Sequence, residues 1–138
     1  MNTEKEFYRM IAAQTEIALA TCMESVPNVR IVNFVFDEEK KLIYFSTFGN
    51  NDKVKEIESN NEIAFTTIPH MGNEHVRARG IVRKSDRTIY DLAEAFSKKV
   101  TGYADTLEQV GDLLVLYEIS FTRANVILNF ESADVFEL

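Results

Sequence analysis

Cysteine is almost absent from this sequence, which has one cysteine, Cys22, among 138 residues. A single cysteine excludes an internal disulfide, and a chain of this length buries enough surface to fold without one. Cys22 lies in the apolar-rich segment 17–23, where a thiol usually acts as a small buried hydrophobe rather than a reactive group. A lone cysteine of this kind is consistent with a reducing compartment.

Long hydrophobic runs and an excess of positive charge are also lacking. No segment approaches the length of a membrane span, and the charged segment 1–7 has no apolar core of a signal peptide, so we expect a cytoplasmic protein without a membrane partner. The chain has 22 acidic and 15 basic residues and a net charge of -7, which argues against a nucleic-acid partner. No repeat, linker or low-complexity segment divides the chain, and its length predicts a single domain over residues 1–138.

Several motifs that mark well-known chemistries are missing. The glycine patterns of nucleotide-binding loops are absent, and so is the nucleophile elbow of hydrolases. His70 and His75 are separated by a Pro/Gly loop, with no cysteine or carboxylate cluster beside them. This spacing is not that of a metal site, so no metal ligand is expected.

The patterns that are present indicate a mainly β domain with a few helices. Short runs rich in β-branched and aromatic residues, separated by polar turns, predict antiparallel strands. These runs cover residues 17–23, 30–36, 42–48, 62–68, 75–83, 113–119 and 124–130. Helices are predicted near the N-terminus, where Thr3 and Glu6 match a capping box, again from about Asp52, and again from Ser85 or Asp86. The combination favours an α+β domain built around a small barrel.

The most informative local pattern is a strand, a turn and a helix start around Lys53. The strand ends at Ser46 and Thr47, a Gly/Asn turn follows, and Lys53 lies in the first turn of the helix. Free backbone N–H groups and the positive end of a helix dipole suit an anion. A lysine is electrostatically unfavourable at a helix N-terminus, and a bound phosphate would explain it. The alternative is an ordinary surface lysine beside a helix capped by Asn51 or Asp52.

Two polar residues in the preceding strand extend this hypothesis. Arg30 begins an otherwise apolar strand, and it approaches the same anion as Lys53 if the two strands pair. Asn33 interrupts the apolar run 31–36. A buried amide needs partners, and an amide can pair with the donor and acceptor edge of a heterocycle. Alternatively, Asn33 faces solvent or a dimer interface.

Four segments occur in an order and spacing that carry a family resemblance. They are Arg30-Ile-Val-Asn-Phe34, Ile43-Tyr-Phe-Ser-Thr47, Asn51-Asp-Lys53 and Val76-Arg-Ala-Arg-Gly80. Together they resemble the pyridoxamine 5′-phosphate oxidase-like, FMN-binding split-barrel family, from about Ile17 through Ser85. The resemblance implies a six-stranded antiparallel split β-barrel with a few flanking helices. It also implies FMN as the cofactor, and a homodimer that holds FMN at the subunit interface.

The same resemblance implies roles for individual residues at the FMN phosphate. Arg30 and Lys53 would contact the phosphate, assisted by Ser46 and Thr47. Asn51 stands where the family often has serine, so an amide replaces a hydroxyl on the phosphate side. The neighbouring aspartate subtracts positive charge there.

The resemblance also implies contacts to the rest of the flavin. Ile31, Val32 and Asn33 would line the isoalloxazine. His75 matches a position where an amide side chain often meets the flavin. Asn129 and Phe130 are the residues we expect the second chain to supply.

Departures from the family pattern limit the expected activity. Val35 replaces a lysine that binds substrate phosphate in the vitamin-processing enzymes, and residues 125–138 lack their arginine-rich motif. We therefore do not expect efficient oxidation of pyridoxamine phosphate. The chain is more similar to the short members, general-stress proteins and nitroimidazole-resistance reductases.

For this chain we expect an FMN-dependent oxidoreductase that transfers electrons from a reduced nicotinamide to a small-molecule substrate. The alternatives are a non-catalytic stress protein that binds flavin or haem, with His70 or His75 as the haem ligand, and a deazaflavin-dependent reductase.

Overall fold

One antiparallel sheet of nine strands, flanked by four α-helices, makes up the fold in a computed structural model that describes residues 1–138. The strands are β1 (Glu16–Met23), β2 (Val26–Asn33), β3 (Val35–Asp37), β4 (Leu42–Phe48), β5 (Glu62–Thr67), β6 (His75–Lys84), β7 (Leu114–Ser120), β8 (Arg123–Asn129) and β9 (Ser132–Glu137). The α-helices are α1 (Thr3–Ala13), α2 (Asp52–Ser59), α3 (Ala93–Lys99) and α4 (Tyr103–Val110). None of these helices combines the length and the apolar character that crossing a membrane requires.

The sheet curls into a barrel that is not closed by hydrogen bonds. Its strand order is β2-β1-β5-β6-β7-β4-β3, and the β8–β9 hairpin pairs with β6. The two end strands, β2 and β3, follow each other in the chain and meet at Phe34. The Phe34 N–H donates to the Thr15 carbonyl at 3.2 Å, and the chain then leaves β1 to pair with β4. The split of the barrel therefore lies at Phe34.

The structure corrects the expected strand number, which is nine rather than six. The strand predicted over residues 30–36 is two strands, because the chain changes its pairing partner at the fully buried Phe34. The last strand, β9, was not predicted. Its side chains are mostly exposed, so the sequence of β9 carries little apolar alternation.

The N-terminal helix also begins differently from the expectation. The N-cap is Asn2, whose side-chain oxygen accepts from the Lys5 N–H at 3.1 Å. Thr3 lies inside the helix, and its hydroxyl donates to the Asp134 carboxylate at 2.5 Å. Helix α1 is therefore tied to β9.

Buried residues form two clusters on opposite faces of the sheet. The larger cluster fills the barrel and is covered by Phe7, Met10 and Ile11 of α1. The smaller cluster packs the outer face of β3, β4 and β7 against the helices, with Phe96 and Tyr103 at its centre. Strand β4 is thus covered on both faces, and its C-terminal end lies beside α2, α3 and α4.

Candidate functional site

A groove of about 290 Å³ opens at the C-terminal end of β4. It lies between β2, the start of α2 and the aromatic side chains of α3 and α4. It brings together seven of the residues singled out in the sequence, namely Ile31, Val32, Asn33, Ser46, Thr47, Asn51 and Lys53. Its other lining residues are Phe48, Phe96, Tyr103 and Leu114, which the sequence did not identify.

Local sequence explains how α2 places Lys53 in the groove. Asn51 is the N-cap, and its side-chain oxygen accepts from the Lys53 N–H at 2.9 Å. The buried residues of α2 are Lys53, Glu56 and Ile57. These positions are three and four residues apart and share one helix face. A cation and an anion therefore lie on the inward face of a short amphipathic helix.

Lys53 is buried and only partly satisfied. Its side chain is 5% exposed, and its ammonium donates to the Thr47 hydroxyl oxygen at 3.3 Å without forming an ion pair. An ammonium has three N–H donors, so Lys53 has donors to spare at the groove. Burial lowers the pKa of Lys53, and the Arg30 guanidinium lowers it further, whereas Glu56 acts in the opposite direction. Lys53 is not the surface lysine of the alternative interpretation.

Arg30 does not line the groove, because Glu56 holds its guanidinium. The two terminal nitrogens of Arg30 lie 3.0 and 3.4 Å from the two Glu56 carboxylate oxygens. Asn28 donates to the same carboxylate at 3.1 Å, and the Thr21 hydroxyl donates to it as well. The hydrogen bond from Thr21, followed by that from Arg30, holds the pKa of Glu56 below its ordinary value although burial opposes this.

Sequence reasoning missed Glu56. The available signal was its position three residues after Lys53 and one before Ile57, which places it on the buried face of α2.

Aromatic side chains form the wall of the groove opposite α2. The Tyr103 hydroxyl lies 3.3 Å from the Ser46 hydroxyl, and the Phe96 ring stacks on Tyr103 with centroids 4.9 Å apart. Burial raises the pKa of Tyr103, so its hydroxyl stays protonated at neutral pH. Asn33 and Ile31 are exposed on the open side. The groove combines an anion-attracting end with flat apolar walls.

Besides Arg30, three more of the predicted residues lie outside the groove of their own chain. His75 lies on β6, paired with Ile127, and its Nδ1 is 2.7 Å from the Asn73 carbonyl. The Asn129 side-chain oxygen accepts from two backbone N–H groups in the β8–β9 turn. Phe130 is fully exposed at the tip of that turn.

A larger cavity of about 550 Å³ lies between α1, β3 and α3. Most of its charged side chains already have partners. Arg87 is 3.5 Å from the Asp37 carboxylate, Lys98 is 3.3 Å from Glu94, and Lys99 donates to backbone carbonyls. No group of three His, Cys, Asp or Glu side chains suited to a metal ion is found in the chain. The groove at Lys53 is therefore the better candidate site.

Solved structures with the same fold include proteins of several kinds. The heme binding protein from Mycobacterium smegmatis superposes with a TM-score of 0.77 at 11% identity, over 99% of this chain. This chain spans only 58% of the length of that protein. General Stress Protein 26 from Bacillus anthracis superposes with a TM-score of 0.74 at 15% identity, over the full length of both chains. A NimC/NimA family protein from Clostridium acetobutylicum superposes with a TM-score of 0.69 at 19% identity, over 99% of this chain and 92% of that protein.

Sequence comparison assigns the family. No curated protein matches this sequence. The model of the pyridoxamine 5′-phosphate oxidase-like family matches residues 10–132, which is most of the chain. The family expected from the four sequence segments is thereby confirmed, and the chain belongs to the pyridoxamine 5′-phosphate oxidase-like proteins.

Proposed function

We propose that this chain binds FMN in the groove, with the phosphate on Lys53, and acts as an FMN-dependent oxidoreductase. The observation that carries the proposal is the buried Lys53 ammonium, which has one internal hydrogen bond and no ion pair. A buried cation that forms no direct ion pair is costly, and a phosphate would supply such a partner. The hydroxyls of Ser46 and Thr47 and the N-terminus of α2 add donors at the same end of the groove.

Strand β2 is suited to contact the isoalloxazine ring. It pairs with β1 only and is an end strand of the sheet. The outer edge of such a strand presents backbone N–H and C=O groups that no neighbouring strand uses. A flavin heterocycle has both donors and acceptors at its polar edge. We therefore assign Ile31, Val32 and Asn33 to the ring, facing the aromatic wall formed by Phe96 and Tyr103.

The protein side of the proposed chemistry is binding, orientation and access. A bound flavin supplies the electron-transfer chemistry. Lys53 fixes the phosphate end, and the Asn33 amide is placed to donate to the ring. The exposed side of the groove at Ile31 and Phe48 admits a reduced nicotinamide and a small acceptor. Val35 is buried in the smaller core cluster, so no cation faces substrate from that position, and oxidation of pyridoxamine phosphate is not proposed.

A second copy of the chain completes the proposed site. Ligand pockets usually enclose roughly 300–1,000 Å³, and this open groove of about 290 Å³ falls just below that range. We assign His75, Asn129 and Phe130, which lie outside the groove of their own chain, to contacts across the interface of a homodimer. We place the protein in the cytoplasm, as the sequence predicts.

Replacing Lys53 tests the phosphate assignment directly. The wild-type protein is expected to bind about one FMN per chain. It should bind FMN more tightly than riboflavin, which lacks the phosphate. Lys53→Met is expected to weaken FMN binding by roughly tenfold or more, since hydrogen bonds to charged groups contribute about 1.5–3 kcal/mol. Riboflavin affinity should not change. Quenching of flavin fluorescence measures both affinities.

The matched control is Lys55→Met, which removes the same charge from an exposed position on α2. It should bind FMN like the wild-type chain. If Lys53→Met binds FMN as tightly as the wild-type chain, the assignment of the phosphate to Lys53 is contradicted. If the wild-type chain binds neither flavin, the assignment of FMN as the cofactor is contradicted.

Haem is a second candidate ligand, favoured by the environment of His75. Its Nδ1 is held by the Asn73 carbonyl at 2.7 Å, and a histidine fixed in this way presents its other nitrogen to a metal. Structures of the same fold include the haem-binding protein from M. smegmatis. Titration with haem should then give a Soret band that disappears in His75→Ala and remains in His70→Ala.

A further inference from the structure

Glu56 is the most completely bonded side chain near the groove. It is 5% exposed, and each of its carboxylate oxygens accepts from two donors. One oxygen receives Asn28 and Arg30, and the other receives Thr21 and Arg30. These donors come from β1 and β2, so the carboxylate ties α2 to the edge of the sheet.

The ion pair between Arg30 and Glu56 reduces the positive charge that is available to a phosphate in the groove. Lys53 and Arg30 supply two positive charges near the end of the groove. The negative charge of Glu56 reduces the net charge there to +1. The terminal nitrogens of Arg30 face the carboxylate and do not line the groove. A buried carboxylate that loses its charged partner is strongly destabilised. Arg30 is therefore held in place, and Lys53 is the cation left for a ligand.

We propose that Glu56 sets the affinity of the groove for phosphorylated ligands by holding Arg30 as an internal ion pair. This inference rests on the proposed function, in which Lys53 receives the phosphate. With Glu56 in place, Lys53 is the one cation that contributes to binding the phosphate. Loss of the Glu56 charge frees Arg30 to act as a second phosphate-binding cation. Glu56 is thus a specificity-determining residue that sets the preference for FMN over unphosphorylated riboflavin.

The substitution Glu56→Gln tests this proposal, because it removes the charge and keeps the size and one acceptor oxygen. The measured quantity is the ratio of riboflavin Kd to FMN Kd, obtained by fluorescence titration. This ratio is expected to rise about tenfold, since the negative charge that neutralises Arg30 is removed from a partly desolvated site. The control Glu58→Gln makes the same charge change at an exposed position of α2, and its ratio should match that of the wild-type chain.

A second variant tests the same idea in the opposite direction and protects against misfolding of the first. Asn28 is exposed on β2 and donates to Glu56. Asn28→Asp replaces this donor with a carboxylate next to Glu56, which adds negative charge at this end of the groove and should lower the ratio several-fold. Thermal unfolding curves show whether each variant is folded.

The outcomes separate this inference from the proposed function. An unchanged ratio in folded Glu56→Gln, with Lys53→Met still weakening FMN, overturns the role of Glu56 alone. An unchanged ratio in folded Asn28→Asp also counts against that role. If Lys53→Met does not affect FMN, the proposed function fails and the inference fails with it.

Discussion

Lys53 and Glu56 show how two buried charges on one helix face acquire different tasks. Both are 5% exposed and belong to the same short helix. Glu56 accepts hydrogen bonds from three side chains, whereas Lys53 makes one such bond, to Thr47. The satisfied group belongs to the framework, and the unsatisfied group is available to a ligand. Burial lowers the pKa of Lys53, which gives its binding role a pH dependence.

The preference for FMN over riboflavin is expected to decrease as the pH is raised from 7 toward 10. Only the protonated Lys53 attracts the phosphate, and its lowered pKa means that the proton is lost below 10.5, the ordinary value for lysine. Flavin titrations at a series of pH values measure the ratio of the two affinities. Lys53→Met should give a ratio that does not vary over this range. If the ratio falls with pH in the same way in the wild-type chain and in Lys53→Met, a group other than Lys53 is responsible.

The β1–β2 hairpin is the element that carries Arg30 and three groove residues. Its turn consists of two residues only, Glu24 and Ser25, and both have positive φ, at 52° and 65°. This is the geometry of the tight hairpin turn that favours Asn-Gly, because L side chains strain a left-handed backbone. The strands predicted over residues 17–23 and 30–36 leave a longer connection between them, whereas strand β2 already begins at Val26.

Replacing the turn residues should stabilise the protein. Glu24→Asn combined with Ser25→Gly is expected to raise the free energy of unfolding by about 1 kcal/mol, because the new residues tolerate positive φ. Chemical denaturation measures the change. The control combines Glu38→Asn with Glu39→Gly in the β3–β4 turn, where neither residue has positive φ, and should give no gain. A loss of stability in the first variant would mean that turn strain is not limiting.

At the scale of the whole molecule, the split barrel leaves one end strand uncovered. Strand β2 exposes the apolar side chains of Val29 and Ile31, at 68% and 62%. Phe130 is fully exposed on the β8–β9 hairpin. Apolar side chains exposed on an open edge strand such as β2 favour association with another surface. A second copy of the chain is the partner proposed above, and its contacts would cover the open side of the groove.

Sedimentation is expected to show a dimer whose stability depends on β2. Val29→Glu places a charge on the exposed apolar strand, and it should shift the protein toward the monomer and weaken FMN binding together. Lys40→Glu changes an exposed residue in the β3–β4 turn and should leave both properties unchanged. A Val29→Glu protein that stays dimeric would exclude β2 as the interface.

Short-range patterns in the sequence determined the family, the mainly antiparallel fold, the helix start at α2 and the grouping of Lys53 with Ser46 and Thr47. Alternation, capping and turn preferences act over a few residues, so these features can be read locally. A contact such as that between Arg30 and Glu56 joins residues 26 positions apart.

Only the tertiary structure decided the exchange of strand partners at Phe34, the ion pair that holds Arg30, and the aromatic wall contributed by Phe96 and Tyr103. Each depends on how far the sheet curls and on which elements then pack together. That curvature is set by the packing of the whole barrel interior and not by any one segment.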